Sequence, residues 1–341
     1  VQLKTIYELA LTLALAGVGA IVFSLIGFPA AVLTGSAVAV TLGGIFGAPV
    51  IMPTHVRDVC FVALGVGIGA SVTPEVLRAA ATWPLSFVML SLALLLSMFT
   101  NRFLLRRFFG FSGFNATLAS APGHLSYILG IAAEDGRELT RISVVQSTRV
   151  LFLTICVPPI IFGIFGVTGE TFLPPFVMSL TSGIGLGIAA GAVGFLFKRF
   201  QIPAAFLLAG MFVSAVGHLM GATPGRIPDW LAFAAYLVMG ALIGTRFRGV
   251  TLPVLLGAVW AGVWVTLVTV TAAGLGVVGV MFMLGLSPGL LFVAFAPGGV
   301  EAMAAIAVQA GLDPTFVAAH HVFRLVFLTF AVPIFLRGAK I

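Results

Sequence analysis

The chain has 341 residues, of which 60% are hydrophobic and 8% charged, with 17 Lys and Arg against 10 Asp and Glu. A water-soluble domain carries about 25% charged residues, so a chain this apolar cannot cover a water-facing surface and belongs in a bilayer. That excludes a cytoplasmic enzyme, a nucleic-acid binder and a secreted disulfide scaffold, and it makes the net charge of +7 the excess expected of cytoplasmic loops.

A membrane helix needs ~20 mostly apolar residues to cross ~30 Å of hydrocarbon. In chain order the first half offers candidates at about 7–26, 30–48, 56–73, 83–102, 113–134 and 139–166. The first run is too long for a signal-peptide core and has no basic leader with a small-residue cleavage site, so it reads as a membrane helix. Cys60 and Cys156 fall inside apolar stretches, where a thiol behaves as a small hydrophobe and implies no disulfide framework. The second half offers candidates at about 176–197, 203–221, 228–245, 252–278, 288–311 and 314–336.

The halves are copies of one another. Ala119-Ser120-Ala121-Pro122-Gly123 recurs as Ala294-Phe295-Ala296-Pro297-Gly298, an offset of 175 that also carries Arg149 onto Arg324 and Val157-Pro158 onto Val332-Pro333. With an offset one smaller, Pro29-Ala30-Ala31 matches Pro203-Ala204-Ala205, so the duplication spans most of the chain. The fifth candidate of each half has Pro-Gly near its middle and cannot be one smooth helix, because proline removes a donor and glycine accepts the angles of a break. Ser112 and Ser287 are the expected N-caps of the first limbs.

Each limb is ~15 Å long, half the hydrocarbon thickness, which suits either a broken crossing helix or a re-entrant hairpin. Loop charges arbitrate. If all six segments cross, the Lys and Arg divide eight against seven; if the fifth is re-entrant, they divide thirteen against two. The sequence therefore predicts an all-α polytopic membrane protein, a 5+5 inverted repeat of ten transmembrane helices plus two re-entrant or broken Pro-Gly hairpins at 113–134 and 288–311. Repeat 1 covers 1–170 and repeat 2 covers 171–341, each contributing to a scaffold and a transport sub-domain. Both termini are expected in the cytoplasm of a bacterial inner membrane. Inverted repeats place substrate at the bilayer midplane, where the broken elements meet.

Only Arg149 and Arg324 lie inside long apolar helices, at the same position of the two repeats. A buried arginine is costly in a membrane, so it marks a functional site, or else it ties the carbonyls of the break or snorkels to an interface. Gln146 and His321 each precede an arginine by three positions and share its helix face, as His320 does at spacing four. Either histidine is a candidate for coupling transport to protons. Glu301, just past the second break, has Ser126 as its counterpart; it is a partner for Arg324, a proton carrier, a contact for an amino group, or a first-turn carboxylate favoured by the helix dipole. His124 and Tyr127 follow the first break, where Gly298-Gly299 follows the second proline. The limb beginning at each break directs free amides to mid-membrane, which favours an anion. The expected solute is a small organic anion such as a carboxylate, sulfonate or phosphonate, moved with H+ or Na+ as coupling ion.

With the Ala-Pro-Gly break, an arginine on the long helix that follows it, and the whole unit duplicated, the chain resembles the membrane AbrB duplication family over nearly its full length. Members are often labelled ammonia monooxygenases or AbrB-type regulators, and the family is similar to inverted-repeat secondary transporters. The resemblance implies a homodimer with a dimerising scaffold and a moving, elevator-like core, and it carries Pro122, Gly123, Arg149, Pro297, Gly298, Arg324 and Gly299 over as site residues; His124 departs from the double-glycine form. A metal enzyme would need clustered ligands, which His55, His124, His218, His320 and His321 do not suggest. A cation/proton antiporter is the principal rival and a passive channel the next, but Asp58, Asp135, Asp229 and Asp313 supply no intramembrane aspartate pair. No cofactor and no nucleic-acid partner is expected, and a regulatory phenotype would follow from transport of a signalling metabolite.

Overall fold

The structure, a computed structural model, describes residues 2–123, 127–128, 131, 139–167, 174–250 and 252–337. Among them the chain forms fourteen α-helices and no strand beyond an isolated bridge between Val177 and Arg226. The first half contributes α1 (Gln2–Leu25), α2 (Ala31–Ile45), α3 (Thr54–Gly69), α4 (Pro74–Ala79), α5 (Trp83–Phe108), α6 (Gly113–Ser120) and α7 (Leu139–Gly163). The second contributes α8 (Leu180–Arg199), α9 (Ala205–Leu219), α10 (Asp229–Thr245), α11 (Leu252–Leu284), α12 (Pro288–Phe295), α13 (Val300–Gln309) and α14 (Pro314–Arg337).

Among the described residues six stretches are long and apolar enough to cross a bilayer: Leu3–Leu25, Pro74–Phe108, Leu139–Gly163, Leu180–Arg199, Pro253–Leu284 and Pro314–Arg337. This is a multi-pass helical membrane protein. The other four of the ten predicted spans are shorter, with α2, α3, α9 and α10 having 15, 16, 15 and 17 residues. At ~1.5 Å per residue they reach ~23–26 Å, short of the hydrocarbon core. For α2 and α9 apolar composition overstates the helix because backbone geometry ends it early. Ala30 (φ 52°) and Gly47 (φ 87°) bracket α2, and Ala204 (φ 49°) and Gly221 (φ 68°) bracket α9.

Packing partners recur between the halves. Helix α3 lies on α9 as α2 lies on α10, α1 lies on α2 as α8 lies on α9, and α7 meets α11 as α14 meets α5. Small residues make the closest crossings possible. A β-carbon on Gly65 would lie 2.1 Å from the Leu207 carbonyl oxygen, and one on Gly240 would lie 2.3 Å from that of Leu33. Gly65 and Gly69 correspond to Gly240 and Gly244 under the offset that relates the two breaks, so the duplication extends to these small-xxx-small faces.

These contacts sort the helices into two groups, each drawn from both halves. One contains α1–α3 and α8–α10, the other α5–α7 and α11–α14. They meet along α2, α3 and α10 on one side and α7, α13 and α14 on the other. Both broken elements belong to the second group, with the buried arginines on its helices α7 and α14 facing the seam.

Candidate functional site

The first limbs are the most regular copies. Helices α6 and α12 have eight residues each and begin at equivalent positions of the two repeats. They are capped by Ser112 and Ser287, whose hydroxyls accept from the amides of Asn115 (3.2 Å) and Leu290 (3.4 Å). Both stop before the Ala-Pro-Gly break, where Ala121 and Ala296 turn extended and Gly123 takes φ 116°. A break leaves the last carbonyls of its limb without intrahelical partners, and within a membrane those groups must be satisfied by protein.

The buried polar side chains do this. Gln146 donates from Nε2 to the carbonyls of Leu118 (2.9 Å) and Ala121 (2.8 Å), and His321 donates from Nε2 to that of Val293 (3.1 Å). Arg149 donates from Nη1 to Ala121 (3.4 Å), as Arg324 does to Ala296 (2.8 Å). Donor and acceptor both shift by the offset between the repeats, so one network is built twice. The copies then differ. Arg149 Nε reaches the Pro297 carbonyl of the opposite break at 3.0 Å, while its Nη2 donates to Gln146 Oε1. Arg324 Nη2 stays on its own break and donates to the Gly298 carbonyl.

Both arginines are 1% exposed. A hydrogen bond to a charged group contributes ~1.5–3 kcal/mol, so several per arginine offset much of the cost of burial. Arg324 keeps its Nε donor unpartnered, and a β-carbon built on Gly123 would lie 3.4 Å from that atom. Arg324 thus faces the first break as Arg149 faces the second.

Between the arginines lies a cavity of about 500 Å³ at the seam of the two helix groups. The second group lines it with Gln146, Arg149, Arg324, Gly123 and the run from Gly298 to Glu301. The first group contributes Lys198, Arg246 and the turn from Gln201 to Ala204. Gly299 is the bare N-cap of α13, so the first amides of that helix stand at the rim beside the Glu301 carboxylate. Four cationic side chains against one carboxylate give the lining an excess of positive charge. Among the described residues no three His, Cys, Asp or Glu side chains gather as a metal set.

Not every candidate faces this space. Pro122 and Pro297 shape the breaks from outside the lining, with Pro297 contributing its carbonyl. His321 is buried against α12 with Nδ1 unpartnered, outside the lining. His320 points to α5: Nε2 lies 2.7 Å from the Ser86 hydroxyl there, while Nδ1 donates to the Phe316 carbonyl of its own helix at 2.8 Å. Rings of Phe87, Phe295 and Phe316 surround it. Spacing four along α14 predicts His320 beside Arg324, but α5 packs on that flank and takes the imidazole. His124 and Ser126 lie outside the described residues.

Three polar lining residues, Lys198, Gln201 and Arg246, are not among the predicted site. Lys198 and Arg246 count in the sequence only as loop charges, and nothing in their spacing points to the breaks. Gln201 does leave a signal. Under the offset of 174 it corresponds to Gly27; both take positive φ, 54° against 69°, a region glycine adopts freely and glutamine at a cost of about 1 kcal/mol. Gln201 lines the cavity from this strained turn.

The family model described as "Transition state regulatory protein AbrB" matches residues 32–340. The chain is 29% identical over 297 residues to "Uncharacterized protein YhjN" of Bacillus subtilis (strain 168), covering 80% of this chain and 76% of the relative. It is 25% identical over 313 residues to "Putative regulator AbrB" of Escherichia coli (strain K12), covering 89% and 88%. These names describe a regulator and an uncharacterized protein.

Proposed function

The chain belongs to the AbrB family, and on that premise we propose that it is a secondary active transporter of a small organic anion. The observation that carries this reading is the convergence of both break arginines, Lys198 and Arg246 on one cavity at the seam of the two helix groups. A carboxylate, sulfonate or phosphonate entering there meets guanidinium donors left over from the carbonyl ties, together with the amides that open α13. Preorganised donors of this kind bind an anion without the reorganisation that water would need.

The break geometry gives the arginines two tasks. Their donors to Ala121, Pro297, Ala296 and Gly298 tie down the carbonyls of the tips, and both side chains line the cavity. Seating the site between two groups suits alternating access by elevator-like movement of the hairpin-bearing group against the other. A second cavity of about 550 Å³ supports this. It lies at the far end of α13, lined by Ala305, Val308 and Gln309 with Arg226 and Asp229 at its mouth. Helix α13 thus has a cavity at each end, and a rigid shift of its group would expose the anion site to one side and then the other.

In this reading the protein is a 5+5 inverted repeat of the inner membrane with cytoplasmic termini, a homodimer through the scaffold group, coupled to H+ or Na+. Glu301, at the cavity rim, is the group we assign to the coupling ion. Counterflow in proteoliposomes tests the class of activity. Saturable exchange of a radiolabelled organic anion supports a carrier; sodium or proton flux with no organic solute moves the assignment to a cation/proton antiporter, and non-saturable flux to a channel.

A further inference from the structure

The strongest feature outside the central cavity lies at the end of α5. Three arginines, Arg102, Arg106 and Arg107, line a cavity of about 600 Å³ together with Phe99 and Phe103. Among the described residues no acidic side chain is in its lining. Arg102 forms the inner wall, donating from Nη1 to the Phe335 carbonyl at 3.4 Å. Arg106 and Arg107 are exposed in the last turn of α5, where the helix dipole favours cations.

A second, almost wholly apolar groove of about 550 Å³ continues from it over Leu95, Leu96, Phe99, Thr100 and Phe103. The two spaces share Phe99 and Phe103, which are 71% and 63% exposed. Leu95, Phe99, Arg102 and Arg106 follow one another at spacings of three and four, so a single face of α5 is apolar along its length and basic at its end. From Leu95 to Arg106 the helix rises ~16 Å. That is about half the ~30 Å hydrocarbon core, the depth of one leaflet.

A basic pocket joined to an apolar groove one leaflet deep has the shape and charge of an amphiphile with an anionic head. We propose that this end of α5 is a binding site for an anionic phospholipid, its phosphate held by Arg106 and Arg107 and an acyl chain lying along Leu96, Phe99 and Phe103. A soluble anion would use the basic part alone and leave the groove unexplained. The site is separate from the anion cavity, sharing no lining residue with it. It adjoins Ser112 and Gly113, the start of the first broken limb, so an occupied site braces the base of that limb.

The test is titration of the full chain, purified in a zwitterionic detergent, with phosphatidylglycerol, phosphatidylcholine, glycerol 3-phosphate and inorganic phosphate. Thermal unfolding and native mass spectrometry of retained lipid are the readouts. Phosphatidylglycerol is expected to bind and stabilise selectively. Each Arg→Gln change should weaken its binding about five-fold, the factor equivalent to the ~1 kcal/mol that a cation near an anionic membrane surface contributes. Arg106→Gln with Arg107→Gln should therefore weaken it about 25-fold. Thr100→Trp, which fills the groove without altering charge, should lower phosphatidylglycerol binding and is the independent check if the double variant folds poorly. Equal binding of phosphatidylcholine, stabilisation by glycerol 3-phosphate or phosphate equal to that by the lipid, or indifference to both the double variant and Thr100→Trp would each overturn the proposal.

Discussion

The two arginines are equivalent by sequence but unequal in their bonds, and replacing each by lysine exposes the difference. Lysine keeps the charge, so the cost of burying a cation largely cancels, but a single ammonium cannot span what a guanidinium fork spans. Arg149 bridges the breaks, reaching Pro297 through Nε at 3.0 Å while Nη1 and Nη2 serve Ala121 and Gln146. Arg324 holds two nearby carbonyls of one break, Ala296 and Gly298, which one ammonium can reach. Arg149→Lys therefore loses at least one charge-assisted bond, ~1.5–3 kcal/mol, and Arg324→Lys loses little. At roughly 2 °C per kcal/mol for a large domain, the first should melt ~3–6 °C below the second. Tryptophan fluorescence during heating of the detergent-solubilised protein reads the order directly. Equal melting, or a lower midpoint for Arg324→Lys, would refute the cross-break tie.

The close crossings make a second forecast. Gly65→Ala and Gly240→Ala each place a β-carbon within 2.3 Å of a backbone oxygen and should cost ~1–3 kcal/mol, whereas Gly17→Ala, with nothing within 4 Å, should be neutral or slightly stabilising; thermal unfolding separates them. Ser112→Ala and Ser287→Ala should each destabilise by ~1 kcal/mol through loss of a cap, measured the same way. Ser86→Ala leaves the His320 Nε2 without its buried partner and should cost ~1–3 kcal/mol, with transport affected only through stability, since His320 does not line the cavity. Gln201→Gly should relieve about 1 kcal/mol of backbone strain yet weaken anion binding, a split visible when unfolding is measured with and without ligand.

Much of this arrangement is legible in the chain because the duplication supplies an internal comparison. The offset of 175 between the Pro-Gly breaks also relates Gln146 to His321, Leu118 to Val293 and Ser112 to Ser287. Each relation reappears in hydrogen bonds or caps of the same kind. Local signals, a hydroxyl before a limb or a proline within one, act over a few positions and survive translation into structure. What spacing cannot carry is the direction in which a side chain finds its partner. His320 and His321 are adjacent, but α5 supplies a hydroxyl and an aromatic surround for one while α12 supplies a carbonyl for the other. Lys198 and Arg246 reach the cavity only because the first helix group closes on the second, a tertiary event with no periodicity behind it. Helix length is overstated by the sequence for a related reason. Apolar residues flanking α2 and α9 count towards a membrane span by composition, yet backbone turns at Ala30, Gly47, Ala204 and Gly221 remove them from the helix.

The most direct measurement of the anion cavity is ligand-induced thermal stabilisation across a panel of small organic anions and cations, with Arg246→Gln and Arg324→Gln alongside the parent protein. Arg246→Gln removes cavity charge without touching a break carbonyl, so its effect on binding is free of any loosening of the tips. A ligand at about 100 times its dissociation constant adds ~2.7 kcal/mol. Stabilisation by particular anions that falls in both variants is the result expected of an anion transporter that uses this cavity. Stabilisation by cations alone, or by anions to the same extent in all three proteins, would contradict it.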